Sequence, residues 1–181
     1  MKTEIQLLQP ELWPITVDWD LRFSRPPAQK ALAYWQSLLG GRQMPARHEL
    51  TPRAMKAFIT YVNLVDVLSL GDDRWDYVIS LQSADARAVL GDIKGRRLAE
   101  IFPPAVERRW RSSFDLPRAG GAPVRLLTRA STGNKNWLAC EVLLAPLGER
   151  EEVDSIFWVT VSWVANSNDA NHPHAGDLRQ H

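Results

Sequence analysis

The chain has 181 residues, 45% of them hydrophobic and 24% charged, which is the composition of one folded domain with a sizeable core. Its formal net charge is +1, so no overall field favours binding to nucleic acid or to an anionic lipid surface. The single cysteine, Cys140, excludes an intrachain disulfide and a cysteine-rich metal site.

The apolar segments of the chain are short. The N-terminal stretch MKTEIQLLQPELWP contains no apolar core of signal-peptide length. The most apolar late run, VDSIFWVTVSWVA, is interrupted by polar residues and is too short to span a bilayer. We therefore expect no contact with a membrane and a cytoplasmic location.

The first 60 residues are expected to be accessory to the main domain. Residues 1–25 are polar and interrupted by prolines, which predicts an arm that becomes ordered only when it is docked. Residues 26–60 form a predicted helical extension, whose first helix covers residues 27–40 and ends at a glycine. A second short helix is predicted to begin at Thr51, a good N-cap residue that Pro52 follows.

One stripe of the first predicted helix is apolar. Leu32, Trp35 and Leu39 recur at helical spacing, and the indole of Trp35 is large enough to anchor a contact. Two interpretations fit this stripe. The prediction that we carry forward is a homodimer interface, and the alternative is that the helix packs on its own sheet.

Residues 61–165 carry the pattern of one α+β domain. Two period-two strands, YVNLVDVLSL and RWDYVISLQ, form a predicted hairpin. Three helical stretches follow between residues 83 and 120, and three more strands close the domain. Helices inserted between a leading hairpin and a trailing meander predict a five-stranded antiparallel sheet. Residues 166–181 have almost no apolar side chains and are predicted to be a disordered tail.

The segments AYWQSLLGGRQMPARHELTPRAMKAFITYVNLVDV and GRRLAEIF, together with the order of elements, give the chain a resemblance to the PAS family. The resemblance covers roughly residues 31–164. Within the family, the chain is similar in particular to a proteobacterial subfamily of small stand-alone PAS proteins. The resemblance implies a PAS-like sheet with helices inserted between strands 2 and 3, and a role in sensing. The sequence departs from the subfamily at one turn, where no glycine precedes Ser83.

The residues that PAS domains use for two common cofactors are missing from the expected positions. A covalent flavin site needs a reactive cysteine on an inserted helix, whereas Cys140 falls in a predicted strand. Haem-binding PAS domains usually supply a histidine from the same helices, and no histidine lies between residues 49 and 171. The sequence therefore argues against haem and covalent flavin. It predicts no metal site, and no recognisable catalytic motif points to an enzyme.

The inserted helices carry a cluster of arginines. Its members are Arg96, Arg97, Arg108, Arg109 and Arg111. Acidic residues are interleaved with them, so we interpret the cluster as a surface charge lattice and not as a nucleic-acid site.

The remaining candidate for a functional site is an apolar pocket between the sheet and the inserted helices. The residues predicted to line it are Tyr77, Ile79, Leu90, Trp110, Phe114, Phe157 and Val159. Period-two alternation alone does not distinguish such a pocket from a filled core.

The function predicted from these features is that of a non-catalytic sensory or regulatory module. It would bind a small apolar or amphipathic ligand, contact an unknown signalling protein, or do both. The alternative is a ligand-free interaction adaptor that acts through dimerisation. A nucleic-acid-binding regulator is the least favoured of the three classes.

Overall fold

The structure is a computed structural model that describes residues 15–129, 138–150 and 152–164. Most of the predicted N-terminal arm, the turn predicted before the second of the closing strands, and the predicted tail after residue 165 lie outside these ranges. The predicted α+β class is confirmed. The paired strands that the structure describes form one antiparallel sheet, and the helices lie between strands in the chain.

Within the described ranges the sheet has six strands, one more than the predicted five. In chain order they are β1 (Thr16–Asp18), β2 (Val62–Gly71), β3 (Arg74–Leu81), β4 (Val124–Arg129), β5 (Leu138–Glu149) and β6 (Glu152–Val164). Their order across the sheet is β1-β4-β5-β6-β2-β3. The additional strand, β1, lies in the predicted arm and pairs with β4, so that Thr16 lies opposite Leu127. The arm is therefore docked on the sheet at this point.

Four α-helices accompany the sheet in the part of the chain that the structure describes. They are α1 (Pro26–Ser37), α2 (Ala84–Leu90), α3 (Leu98–Ile101) and α4 (Pro104–Gly120). Helix α2 begins after Ser83, whose hydroxyl accepts a hydrogen bond from the amide of Ala86 at 3.0 Å. Helix α4 is capped at its C-terminal end by Gly121, which adopts a φ of 61°, a left-handed conformation that glycine reaches without a steric cost.

The predicted helix at Thr51 does not form. Residues 52–58 make a series of turns, and a short 3₁₀ helix, Ile59–Tyr61, leads into β2. The cap that suggested the helix is present, because the hydroxyl of Thr51 accepts from the amide of Ala54 at 3.4 Å. The segment is too short to propagate a helix before the β-branched residues of the strand begin.

The two faces of the sheet are covered by different helices. Side chains alternate along each strand, so neighbouring residues point to opposite faces. One face lies against α4, where the ring of Trp158 is 5.1 Å from the ring of Trp110. The other face lies against α1, where the indole N–H of Trp35 donates to the carbonyl of Pro146 at 2.9 Å. Both faces of the central strands are therefore buried.

The apolar stripe of α1 packs on its own domain. Trp35 is only 2% exposed, and Leu32 and Leu39 are partly buried against the same core. This is the alternative that the sequence left open. Trp35 is packed within its own chain, and its role in an interface between two copies stays a prediction. Dimerisation of the chain itself stays a prediction.

A buried carboxylate fastens the segment before α1 to the sheet. Glu141 on β5 is fully buried and accepts from the backbone amides of Ser24 and Arg25 at 2.9 and 2.8 Å. The guanidinium of Arg125 donates to the same carboxylate at 2.8 Å and to Asp18 at 3.0 Å. The network therefore joins β1, β4, β5 and the start of α1.

Candidate ligand-binding cavity

A small cavity lies between α2, α4 and the sheet face of β4, β5 and β6. Its volume is about 60 Å³. The apolar part of its wall includes Val89, Leu90, Val106, Trp110, Leu126, Val142 and Trp158. The polar part includes Asp85, Arg109, Thr128, Arg129, Cys140, Thr160 and Ser162. A water molecule needs about 10–15 Å³ of such volume, so the cavity has room for roughly four to six water-sized groups.

The size of the side chains on three adjacent strands creates this space. Thr128, Cys140 and Ser162 lie opposite one another across β4, β5 and β6 and form a row of small side chains. Thr160, two residues before Ser162 on β6, lies opposite Val142 on β5, and Trp158 lies in the next row. Because the side chains shrink towards one end of the strands, the helices cannot close against that end.

An aromatic cluster fills the opposite end of the same interface. The ring of Trp110 is 5.6 Å from that of Phe114 and 6.3 Å from that of Phe102. Phe114 in turn lies 5.7 Å from Trp158 and 5.3 Å from Tyr77. These separations are those of favourable aromatic pairs. These packed rings leave no space between them and border the cavity on one side; we call them the aromatic floor.

Arg109 brings a positive charge into the wall of the cavity. Its guanidinium donates one hydrogen bond to the hydroxyl of Thr128. Its other terminal nitrogen, Nη1, is buried and has no hydrogen-bond partner among the described residues. Burial lowers the pKa of Arg109, although the proximity of Cys140 acts in the opposite direction. A guanidinium nevertheless remains protonated at neutral pH. A buried charged donor without a partner is therefore part of this site.

The remaining ionisable residues of the wall do not neutralise this charge. Asp85 lies in the first turn of α2, and burial raises the pKa of its carboxyl group. No ion pair within 4 Å joins it to Arg109 in the described part of the chain. Arg129, at the end of β4, adds a second guanidinium to the wall. Among the described residues of the wall, two guanidinium groups, those of Arg109 and Arg129, accompany one carboxyl group, that of Asp85.

The structure brings only some of the predicted pocket residues to the cavity. Leu90 and Trp110 line it, whereas Phe114 lies in the aromatic floor. Tyr77 and Ile79 are on the same sheet face but are fully buried in packed core. The hydroxyl of Tyr77 donates to Asp115 at 2.5 Å, and burial raises its pKa far above the ordinary value.

The structure places Phe157 and Val159 away from this cavity. Trp158 and Thr160 line the cavity, so the residues that alternate with them point to the face covered by α1. Phe157 and Val159 are fully buried there. Both faces of β6 are apolar, and this removed the contrast that would have shown which face holds the pocket.

The polar half of the site was not predicted from the sequence. Thr128, Cys140, Thr160 and Ser162 follow the same alternation as Trp158, which is the signal that could have identified them. Arg109 is three residues after Val106 and therefore shares the buried stripe of α4.

Among the other arginines of the inserted region, Arg97 and Arg111 form ion pairs with nearby carboxylates. Arg97 and Arg111 both bind the carboxylate of Asp76, at 3.0 and 3.1 Å, and Arg111 also binds Glu107 at 2.6 Å. These ion pairs occupy the guanidinium groups with partners from the same chain. Arg109 differs from them because its contact is to a hydroxyl and it lies at the cavity.

Two kinds of site are not found in the described part of the chain. Within residues 15–129, 138–150 and 152–164, no three histidine, cysteine or acidic side chains come together as a possible metal site. None of the helices described is long and apolar enough to cross a bilayer.

Comparison with known proteins identifies the family. The model of a PAS domain family, PAS_5, matches residues 23–160, which is more than half of the chain. One similar solved structure is described as that of an RNA-binding Light-Oxygen-Voltage receptor; its TM-score is 0.40 and its identity is 16%. The match covers 65% of this chain and 35% of that one. No curated protein matches the chain.

The chain is therefore a PAS domain protein, and it belongs to the PAS_5 family. PAS domains are in general sensory and signalling modules, which is the class of protein that the sequence predicted. The protein in that solved structure is much longer, and the match with the present chain spans about a third of its length.

Proposed function

We propose that the protein is a non-catalytic sensory or regulatory module that binds a small molecule in the cavity between α2, α4 and the sheet. The observation that supports this proposal is the buried, unpartnered Nη1 of Arg109 in the cavity wall. An unpaired buried donor costs stability, because it loses its hydrogen bonds to water. A bound ligand that accepts a hydrogen bond would remove that cost.

The experiment is a ligand screen on the purified full chain with a variant that fills the cavity. Native mass spectrometry would detect a retained ligand, and thermal denaturation would detect stabilisation by small metabolites. Ser162→Leu places a larger side chain in the wall of the cavity, whereas Ser112→Leu makes the same change at an exposed position of α4.

Ligand binding that is lost in Ser162→Leu and retained in Ser112→Leu would support the proposal. No retained mass and no stabilisation across the screen would contradict it. Turnover of a bound molecule with saturable kinetics would contradict the non-catalytic part.

The alternative proposal is a ligand-free adaptor that acts by contact with a signalling partner or with a second copy of the chain. The cavity volume favours it, because 60 Å³ is well below the roughly 300–1,000 Å³ of most ligand pockets. Light scattering on the purified chain distinguishes the dimeric form of this alternative from a monomer. A nucleic-acid role is less favoured, because Arg97 and Arg111 are already paired with Asp76.

A further inference from the structure

We infer that the ligand of the cavity is a small anion, and specifically a short-chain carboxylate whose carboxylate group is bound by Arg109. The inference rests on the proposed function and adds the chemical class of the ligand. Three features of the cavity wall lead to it: an unsatisfied charged donor, a row of hydroxyl groups, and an apolar side that offers no competing acceptor.

The first feature is the hydrogen-bonding state of Arg109. A guanidinium is planar and presents its donors as a fork, a geometry that a carboxylate can accept with both oxygens. One arm of the fork is held by the hydroxyl of Thr128, so the orientation of the group is fixed. The buried Nη1 has no partner among the described residues. The position thus has a donor and a positive charge but no anion.

The second feature is the polar row at the ends of β4, β5 and β6. The sulfur of Cys140 lies 3.7 Å from the hydroxyl of Ser162, and both line the cavity together with Thr160. The hydroxyl of Thr160 already accepts the indole N–H of Trp158 at 2.5 Å, so its own hydrogen is directed elsewhere. Hydroxyl groups can donate to the oxygens of a carboxylate that Arg109 holds.

The third feature is the size and polarity of the rest of the wall. Val89, Leu90 and Leu126 surround the polar groups with hydrocarbon. A cavity with room for roughly four to six water-sized groups fits a carboxylate with two or three further carbons. Among the described residues of the wall, the only acidic one is Asp85, which lies in the first turn of α2. Propionate and butyrate satisfy all three features.

The test compares anions with neutral molecules of the same shape. Propionate and butyrate would be titrated into the isotope-labelled full chain at constant pH and ionic strength, and propionamide and butyramide would be titrated in parallel. We expect the carboxylates to bind about tenfold to a hundredfold more tightly than the amides, as a hydrogen bond to a charged group implies. Chemical-shift changes should be concentrated on Trp110, Thr160 and their neighbours.

Three arginine variants provide the matched comparison. Arg109→Gln should remove the preference for carboxylate, whereas Arg108→Gln removes an exposed charge from the same helix and should preserve it. Arg109→Lys keeps the charge and should retain part of the preference. If Arg109→Gln does not fold, the ratio of carboxylate to amide affinity in the unaltered protein decides.

The possible failures are distinguishable. Equal binding of carboxylates and amides, or equal loss in Arg108→Gln and Arg109→Gln, would overturn the inference and leave the proposed function standing. Binding of some other small molecule at the same resonances, with none by carboxylates, would do the same. The absence of binding by any small molecule would overturn both.

Discussion

Replacing Glu141 by alanine should be among the most destabilising changes in the protein. Glu141 is fully buried and is the acceptor for four donor groups. Two of these are backbone amides, one is the hydroxyl of Ser24, and one is the guanidinium of Arg125. Alanine removes every acceptor at once, and no other side chain of the network can move into its place without breaking its own contacts.

The size of the effect follows from what the substitution leaves behind. The side chain of Arg125 is 7% exposed, so its charge would remain buried with only Asp18 as a partner. Removing one partner of a buried ion pair costs about 3–5 kcal/mol. The two amides would add little to this, because Ser24 is exposed and water can reach that part of the chain. We therefore expect a loss of about 3–5 kcal/mol in the free energy of unfolding.

Urea unfolding followed by tryptophan fluorescence would measure the loss by linear extrapolation. Glu152→Ala, which removes an exposed carboxylate from the neighbouring strand, is the matched control and should change stability by less than about 0.5 kcal/mol. The double variant Arg125→Met/Glu141→Leu should recover part of the loss, because it leaves no buried guanidinium, and Asp18, which loses Arg125, still accepts from the amides of Asp20 and Arg22. A loss below about 1 kcal/mol in Glu141→Ala, or a double variant no more stable than the single one, would refute the reasoning.

Three further predictions concern other parts of the chain. Trp35→Ala should lower the free energy of unfolding by about 3–5 kcal/mol and should leave the molecular mass measured by light scattering unchanged. Trp35→Phe should lower the free energy of unfolding by about 1–3 kcal/mol, because it removes the hydrogen bond to the carbonyl of Pro146. Ser83→Ala should cost about 1 kcal/mol in a urea titration, and Ser83→Asn, which can also cap the helix, should cost much less. The pKa of Glu49 is lowered to about 2 by Arg42, so its contribution to stability is present above the ordinary pKa of 4.5 and is lost as the pH falls towards 2. Glu49→Gln should therefore be less stable than the unaltered protein at pH 7, and an equal difference at pH 2 in urea titrations would contradict this sign.

The order of the elements was predictable because short sequence patterns indicate each helix and strand. The change from period 3.6 to period two, with glycine and proline between segments, identified the hairpin, the three inserted helices and the closing strands. The sixth strand, β1, could not be recognised, because three residues carry no measurable alternation. Its position depends on Arg125 and Glu141, which are more than a hundred residues away in the chain.

The candidate site was only half predictable, for a related reason. Helix α1 covers the second face of the sheet, so Phe157 and Trp158 are both buried although they point in opposite directions. Hydrophobicity then no longer indicates which face holds the cavity. Arg109 was assigned to a charged surface because its neighbours are charged, whereas its spacing from Val106 and Trp110 places it on the buried stripe of α4.

The cavity and the fastening of the N-terminal segment meet in two consecutive residues. Cys140 lies in the wall of the cavity, and Glu141, the next residue, holds the segment before α1 on the opposite side of the sheet. A strand is a thin ribbon, and its adjacent side chains share one peptide plane. Any tilt of that plane therefore displaces the lining on one side and the docking point on the other together. In β5, one peptide unit thus connects the lining of the cavity on one face of the sheet with the docking point of the segment before α1 on the other.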